Sequence, residues 1–248
     1  MFYRQLQEKF LALATQNNLL DEEITIKTKI LKTAEAIGNP DRQDYPLLKG
    51  KEFLMEATYG EARGQAYTDA PSEFTGPLAD IIRLELKDTK QRALFIACLN
   101  AIMRYLEPEL GTVHCKNNEP EECATEIGEF VEKLAPSFVG LVGLQPAILE
   151  SLAKRLGPEK VTCVDRDEEF RGKSKFGVPI VWGDSKSMTD MFVKADLVLA
   201  TGSTIVNGSL PEILALAEEH NVPVHFYGTS VAGAAHLLGL NRLCFCPT

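Results

Sequence analysis

A short apolar run that changes abruptly into small polar residues is the feature that most constrains how this chain folds. Residues 196–200 are almost continuously apolar, which is typical of a parallel strand covered by helices on both faces. In open α/β sheets, ligands bind at the carboxyl ends of such strands. A turn with a helix N-cap would need only one or two polar residues. We therefore predict a ligand-binding loop, composed of Thr201, Gly202, Ser203, Thr204, Asn207 and Ser209.

Predicted strands and helices alternate from residue 136 onward. Apolar runs predict the strands, and amphipathic runs between them predict the helices. In chain order they are a strand at 137–142, a helix at 146–156, a strand at 160–164, a helix at 184–193, the strand at 196–200, a helix at 210–220, a strand at 223–227 and an apolar segment at 243–245. Short connections imply right-handed crossovers, so residues 136–248 are expected to form a Rossmann-like parallel sheet.

The first 110 residues follow a different order, with strands grouped before helices. An amphipathic helix opens the chain, and Gly60-Glu61 is expected to turn a hairpin. The other predicted elements are strands at 24–30, 52–59 and 62–68 and helices at 77–86 and 89–105. This grouping predicts an α+β module at 1–110, joined by a bridging loop and helix at 111–135. The fold class predicted for the whole chain is α/β.

The composition excludes several classes of function. The chain has 248 residues, of which 45% are hydrophobic and 25% charged, and no apolar run approaches the roughly 20 residues that cross a bilayer. The first ten residues lack the apolar core of a secretion signal, so we expect a cytoplasmic protein without membrane insertion. A net charge of −9 argues against nucleic-acid binding. A homodimer is expected, because a second copy could cover an exposed sheet edge.

Two further predicted strands end in glycine-bearing loops. The first loop contains Gly143, Gln145 and Pro146; glycine permits a tight turn, and proline suits the first position of a helix. The second loop contains Gly228, Thr229 and Ser230. Three such loops on one edge of a sheet exceed ordinary turn chemistry, so we interpret them as the walls of a binding crevice.

Asp165 and Asn100 are the remaining candidate ligand contacts. Asp165 lies 22 residues after Gly143, close to the roughly 20 expected of an acid that binds a cofactor ribose. It supports an alternative function, an enzyme that uses a nicotinamide or S-adenosyl nucleotide on the parallel sheet. The Gly-x-Gly-x-x-Gly fingerprint is missing, however, and a solvated strand end explains Asp165 equally well. Asn100 lies in an otherwise apolar helix, where burial demands a partner from either ligand or backbone.

No sequence motif identifies a catalytic residue. Charged residues around the predicted hairpin and the following loop could reach a cleft as acid, base or anion anchor, although most charged loop residues are merely solvated. These residues are Glu61, Arg63, Asp69 and Glu73.

The six cysteines are expected to be free thiols, since a chain without a secretion signal does not build a disulfide framework. His114, Cys115 and Cys123 could supply metal ligands, but their spacing matches no zinc motif. Cys244 and Cys246 share one face of a predicted strand, where they could chelate a thiophilic metal or pack as core residues. Structural positions are expected for Cys98, Cys163, His225 and His236. We predict no metal site formed by the protein alone.

The polar loop also carries a family resemblance. The run Leu199-Ala-Thr-Gly-Ser-Thr-Ile-Val-Asn-Gly-Ser209, together with Val142-Gly-Leu-Gln-Pro146, Gly228-Thr-Ser230 and Ala97-Cys-Leu-Asn-Ala101, resembles the family called putative heavy-metal chelation proteins. The resemblance covers nearly the whole chain. The family more often has Gly-Pro-Ser where this chain has Gly228-Thr229-Ser230.

This resemblance implies a fold and a class of ligand. It implies that residues 1–110 are similar to the N-terminal domain of enolase, that residues 136–248 form a Rossmann-like module, and that a ligand site lies between the two. It also implies a small, planar, metal-chelating ligand, pterin-like or pyridine-like, through which a metal ion would be held.

Overall fold

Two β-sheets, one antiparallel and one mostly parallel, occupy the first and second halves of the chain. The computed structural model describes residues 1–20, 25–50 and 52–246. The predicted α/β fold class is confirmed. The elements of the first half are α1 (Phe2–Gln16), β1 (Thr25–Ile30), α2 (Thr33–Ile37), a 3₁₀ turn (Pro46–Lys49), β2 (Phe53–Tyr59), β3 (Ala62–Thr68), β4 (Phe74–Pro77), α3 (Leu78–Ile82) and α4 (Thr89–Leu106).

The antiparallel sheet has the strand order β3-β2-β1-β4. The predicted hairpin is confirmed, with Phe53 paired to Thr68 and Tyr59 to Ala62. The prediction that the first strand begins at Ile24 lies outside the described residues. The helix predicted at 77–86 is shorter: Pro77 is the last residue of the edge strand β4, which pairs with β1, and the helix ends at Ile82. This strand was not predicted because it contains Gly76 and Pro77, and both residue types are disfavoured in strands away from an edge.

Helix α4 packs across β3 and β2 and is buried over most of its length. Its close approach depends on Gly64 in β3, where an added Cβ would lie 2.0 Å from the backbone nitrogen of Ala101. Helix α4 therefore rests directly on the strand backbone. This contact fixes the position of Asn100 relative to the hairpin.

The second half contains α5 (Glu119–Leu134), β5 (Val139–Val142), α6 (Pro146–Leu156), β6 (Val161–Asp165), β7 (Ser174–Lys175), β8 (Val178–Trp182), α7 (Ser185–Phe192), β9 (Leu197–Thr201), α8 (Thr204–Asn207), α9 (Leu210–His220), β10 (Val224–Tyr227), α10 (Ala232–Leu238) and β11 (Arg242–Leu243), with 3₁₀ turns at Pro158–Lys160 and Glu168–Phe170. The sequence prediction missed β7 and β8. Strand β8 contains a proline, which weakens a strand pattern, and β7 has only two residues.

The second sheet has the order β11-β10-β9-β5-β6-β8-β7, and all its pairs are parallel except β7 with β8. If the six parallel strands are numbered along the chain, the spatial order is 3-2-1-4-5-6, an order known from doubly wound sheets. The direction of winding reverses between β5 and β9. A crevice is therefore expected at the carboxyl ends of these two strands.

Alternate side chains of the parallel strands enter two separate cores. Leu141, Cys163 and Leu199 pack on the face covered by α5 and α6. Val198 and Ala200 belong to the other core, which also contains residues of α4, α7 and α9. Burial on both faces explains why β9 reads as a continuous apolar run in the sequence.

The edge of the antiparallel sheet at β3 is covered by the chain itself. The Gln65 backbone N–H donates to Thr112 O at 3.1 Å, and the Thr112 hydroxyl donates to Arg63 O at 2.6 Å. This leaves β4 as the edge of the described sheet that a second copy could extend, and the homodimer remains a prediction. Within the described ranges, no helix combines the length and apolar character needed to span a bilayer.

The module boundaries at residues 110 and 136 also remain a prediction. Helix α4 packs against α8 and α10 as well as against its own sheet, and α5 packs against α6. The two halves of the chain therefore share an extensive contact.

Candidate ligand-binding cleft

A cavity of about 600 Å³ opens at the carboxyl ends of β5, β6, β9 and β10. Its wall also includes residues of the first half of the chain, among them Tyr45, Glu52, Tyr67 and Asp69. We call this cavity the cleft. All the predicted ligand residues except Pro146 and Asn100 line it: Gly143, Gln145, Asp165, Thr201, Gly202, Ser203, Thr204, Asn207, Gly228, Thr229 and Ser230.

The loop after β9 is held by internal hydrogen bonds and by the first half of the chain. Thr204 Oγ1 donates to Thr201 O at 2.7 Å, while Thr201 Oγ1 and Ser203 Oγ lie 3.2 Å apart. Tyr3 Oη donates to Ile205 O at 2.7 Å, and Arg92 Nε donates to Val206 O at 2.7 Å. The loop therefore lies at the junction of the two halves. Thr201 Oγ1 also accepts from Ser203 N at 3.4 Å, while Ser203 Oγ has no second hydrogen-bond partner among the described residues.

Asn207 supports the turn that follows this loop. Its Oδ1 accepts hydrogen bonds from Ser209 N at 3.0 Å and from Ser209 Oγ at 2.8 Å. The side-chain oxygen is thus already used, although the residue lines the cleft.

Gly143 sets the shape of the loop after β5. Its φ is +86°, and an added Cβ would lie 2.5 Å from Thr201 Cγ2. Its carbonyl accepts a hydrogen bond from Tyr227 Oη at 2.7 Å. Only glycine fits this left-handed position next to β9, so the loop after β5 and the loop after β9 meet closely.

Gln145, Pro146 and Asp165 largely organise the backbone. Gln145 Oε1 caps α6 by accepting from Ile148 N at 2.6 Å, and Pro146 is the first residue of that helix. The Asp165 carboxylate accepts from Leu144 N at 2.6 Å and from Asp167 N at 2.7 Å. Pro146 is buried as the first residue of that helix and does not line the cleft, and its contact with a ligand stays a prediction.

Asn100 is fully buried and bonds only to backbone groups. Its Nδ2 donates to Gln65 O at 2.8 Å, Thr229 O at 3.1 Å and Ser230 O at 3.2 Å. Its Oδ1 accepts from Gly233 N at 2.8 Å. The sequence allowed either a ligand or the backbone as the partner of Asn100, and in the structure the partner is the backbone. Asn100 lies outside the cleft wall and positions the loop after β10.

The loop after β10 presents one hydroxyl that has no partner. Ser230 Oγ accepts from Tyr67 N at 2.9 Å, whereas Thr229 Oγ1 is buried without a hydrogen bond to any described residue. Thr229 occupies the position where this chain departs from the Gly-Pro-Ser of the family it resembles. A buried hydroxyl without a partner is costly unless a ligand or water satisfies it.

Glu52 is a cleft residue that the sequence analysis did not identify. Protein surrounds it on most sides, so burial raises the pKa of its carboxyl to about 7, and the nearby Asp165, Asp69 and Asp167 add to the effect. The predicted hairpin contained a signal for it, because the register that pairs Phe53 with Thr68 also brings Glu52 opposite Asp69. Of the charged hairpin candidates, Asp69 lines the cleft, whereas Glu61, Arg63 and Glu73 are exposed and do not line it.

Three cysteines from two distant parts of the sequence lie at the same cavity. Cys115, Cys123 and Cys244 all line the cleft. Hydrogen bonding from the Cys244 thiol lowers the pKa of Cys123, with help from the backbone of Phe245 and Cys246. All six cysteines are free. Within residues 1–20, 25–50 and 52–246, no three His, Cys, Asp or Glu side chains form a group that could hold a metal ion.

His114 also lines the cleft. Burial lowers its pKa to about 4, so the imidazole is neutral, and its Nδ1 is buried without a hydrogen bond to a described residue. The ring meets that of Tyr67 edge-on at 5.4 Å. Of the four residues expected at structural positions, Cys98 and Cys163 are buried, His225 is partly buried and His236 is exposed.

Comparison with known proteins supports the family resemblance. A family model described as putative heavy-metal chelation matches residues 128–239. A protein of unknown function from the DUF364 family of Pyrococcus horikoshii has a crystal structure that matches with a TM-score of 0.59 at 15% identity, covering 96% of this chain and 83% of that one. A DUF364 protein of unknown function from Desulfitobacterium hafniense matches with a TM-score of 0.56 at 14% identity, covering 95% and 83%. No curated protein matches the sequence. The predicted resemblance is confirmed.

Proposed function

We propose that this chain, whose residues 128–239 belong to the putative heavy-metal chelation family, binds a small planar metal-chelating molecule in the cleft. The ligand would be pterin-like or pyridine-like, and the protein would carry or modify it in the handling of heavy metals or their chelators. The observation that carries this proposal is a cavity of about 600 Å³ at the switch point of the parallel sheet. Cavities of roughly 300–1,000 Å³ at such points commonly bind small ligands.

The aromatic side chains of the cleft suit a flat ligand. Tyr45, Tyr67, His114, Phe170 and Tyr227 all line it. Aromatic rings bury large apolar areas and stack or pack edge-on against other rings. The loops add polar groups at one edge. Among the described residues, Ser203 Oγ has only Thr201 Oγ1 as a hydrogen-bond partner, and Thr229 Oγ1 has none. Mainly apolar walls with a few converging polar groups are typical of small-molecule sites.

A metal ion would arrive with the chelating ligand. No cage of three or more protein ligands is present in the described part of the chain, so the small molecule would supply most of the donor atoms. Thiols at the wall are soft donors that could complete the coordination of a thiophilic metal, and Cys123 is the one whose pKa is lowered.

The nucleotide-cofactor alternative has one supporting observation, which is the position of Asp165 at the carboxyl end of β6, next to the switch point. The start of α6 weighs against it. A pyrophosphate needs free backbone N–H groups at a helix N-terminus, but Pro146 has none and Gln145 Oε1 already accepts from Ile148 N. The Asp165 carboxylate also accepts two backbone hydrogen bonds.

Native mass spectrometry and absorbance of the gently purified protein test this proposal. We expect a bound small molecule that absorbs in the near ultraviolet. Ser203→Trp, which fills the cleft, should lose this molecule, while Ser185→Trp at the exposed start of α7 should keep it. Equal retention by both folded variants would place the ligand elsewhere. A bound nicotinamide or S-adenosyl compound would favour the alternative.

A further inference from the structure

Three carboxylates of the cleft have no basic partner among the described residues. Glu52, Asp69 and Asp165 all line the cavity, and no lysine or arginine of the described chain forms an ion pair with any of them. Arg166 also lines the cleft, but its Nε donates to Gly183 O at 2.9 Å. This side of the cleft therefore favours a ligand that brings positive charge or N–H donors.

Glu52 is the carboxylate with free oxygens. Both oxygens of Asp165 accept backbone hydrogen bonds, whereas Glu52 forms no hydrogen bond or ion pair within the part of the chain that the structure describes. The groups around it are Asp69, Asp165, Asp167, Tyr67 and Tyr227. No cation is among them, so none of these described groups compensates the charge of the carboxylate.

Thr229 provides a second, independent sign of a ligand in this cavity. The residue is 1% exposed, it lines the cleft, and its Oγ1 has no hydrogen-bond partner among the described residues. Its hydroxyl can accept or donate a hydrogen bond.

We propose that Glu52 determines the specificity of the cleft, with its carboxylate accepting two parallel hydrogen bonds from an amidine-type edge of a planar ligand. An amidine-type edge has two N–H donors on one carbon atom that share a positive charge, and it matches a carboxylate in bidentate geometry. The inference rests on the proposed function and specifies the chemistry of its ligand. A free divalent cation fits less well, because it would need several oxygen ligands at once, and no three His, Cys, Asp or Glu side chains of the described residues form a group that could hold one.

Glu52 should also report the charge of the ligand through proton exchange. Its pKa is raised to about 7, so near neutral pH the free protein holds a mixture of acid and carboxylate. A cationic N–H edge stabilises the carboxylate and releases a proton, whereas an anionic ligand has the opposite effect.

Benzamidine and benzoate provide a matched pair of probes, since they share a ring and shape but carry opposite charges. Isothermal titration near neutral pH, in two buffers of different ionisation enthalpy, gives both the affinity and the protons exchanged. We expect benzamidine to bind at least about tenfold more tightly than benzoate and to release protons. Glu52→Gln should abolish both the preference and the release. Glu61→Gln, on the exposed turn of the same hairpin, should change neither.

Several outcomes would overturn the inference. Equal binding of the two probes, or no binding of benzamidine, would do so on wild-type protein alone, whether or not Glu52→Gln folds. If magnesium chloride displaces benzamidine from the wild-type protein but not from Glu52→Gln, Glu52 belongs to a cation site instead. The protein could also bind pyridine-2-carboxylate, lose that binding in Ser203→Trp, and fail to bind benzamidine. This result would support the proposed function and contradict only the inference about Glu52.

Discussion

Glu52 and Asp69 lie opposite each other at the open end of the β2–β3 hairpin, one position beyond the pair formed by Phe53 and Thr68. Both line the cleft. Like charges that face each other across a strand pair are destabilising, and here neither acid has an ion-pair partner among the described residues. A repulsive pair at the wall of a cavity is better explained by a ligand than by the stability of the fold.

The raised pKa of Glu52 predicts how stability depends on pH. The pKa of the carboxyl is 4.5 for an ordinary glutamate side chain, taken here for the unfolded chain, and about 7 in the folded protein. Between these values the folded state keeps a proton that the unfolded chain has lost, so the free energy of unfolding falls as the pH rises and levels off above the folded pKa. With allowance for solvent that enters the cleft, the loss should be about 2 kcal/mol.

Chemical unfolding of wild type and Glu52→Gln from about pH 5 to about pH 8 measures this contribution. The variant should lack it and become the more stable of the two at the upper end of the range. Parallel curves for the two proteins would contradict the prediction, because Glu52 would then titrate alike in both states.

Elements with strong periodicity were predicted well from the sequence. The predicted bounds of α6 and α9, 146–156 and 210–220, match the structure, because both helices have an amphipathic pattern with a proline in the first turn. The strands β4 and β8 were missed, since each contains a proline and is stabilised by its neighbours in the sheet.

The candidate site was predicted only where it follows directly from strand ends. The loops after β5, β9 and β10 could be identified because parallel strands place their carboxyl ends on one edge. Glu52 could have been found from the hairpin register, because pairing Phe53 with Thr68 brings Glu52 to the end of the hairpin that lines the cleft. The convergence of Cys123 in α5 with Cys244 depends on a tertiary contact between residues 121 positions apart in the chain, and no periodicity in the sequence carries that information.

Replacement of Asn100 tests its role as the residue that positions the loop after β10. Asn100→Ala removes four hydrogen bonds to buried backbone groups and should destabilise the fold by about 3 kcal/mol. Asn17→Ala is the matched control, because Asn17 makes a single exposed bond to Leu13 O at 2.9 Å and should cost less than about 0.5 kcal/mol. Thermal unfolding compares them, and similar melting temperatures for the two variants would refute this role.

The lowered pKa of Cys123 predicts a reactive thiol. Alkylation by iodoacetamide at neutral pH, followed by mass spectrometry of each cysteine peptide, should label Cys123 faster than the other buried cysteines, since the thiolate is the nucleophile. Cys98, whose pKa is raised by burial, should stay unlabelled in the folded protein. Cys244→Ala removes the donor and should slow the labelling of Cys123. An unchanged rate in that variant would show that Cys244 does not stabilise the thiolate.

Ser203 and Asn207 lie in one loop but should respond differently to substitution. Among the described residues, the one hydrogen-bond partner of Ser203 Oγ is Thr201 Oγ1 at 3.2 Å. Ser203→Ala should therefore leave thermal unfolding almost unchanged and weaken the binding of a cleft ligand by roughly 0.5–1.5 kcal/mol, the value of one hydrogen bond. Asn207 Oδ1 bonds to both polar groups of Ser209, so Asn207→Ala should destabilise the fold by about 1 kcal/mol. The measurement pairs thermal unfolding without ligand with titration of benzamidine and of pyridine-2-carboxylate. If Ser203→Ala lowers the melting temperature as much as Asn207→Ala does and leaves both titrations unchanged, the loop is only a turn, and the case for ligand binding at this strand end fails.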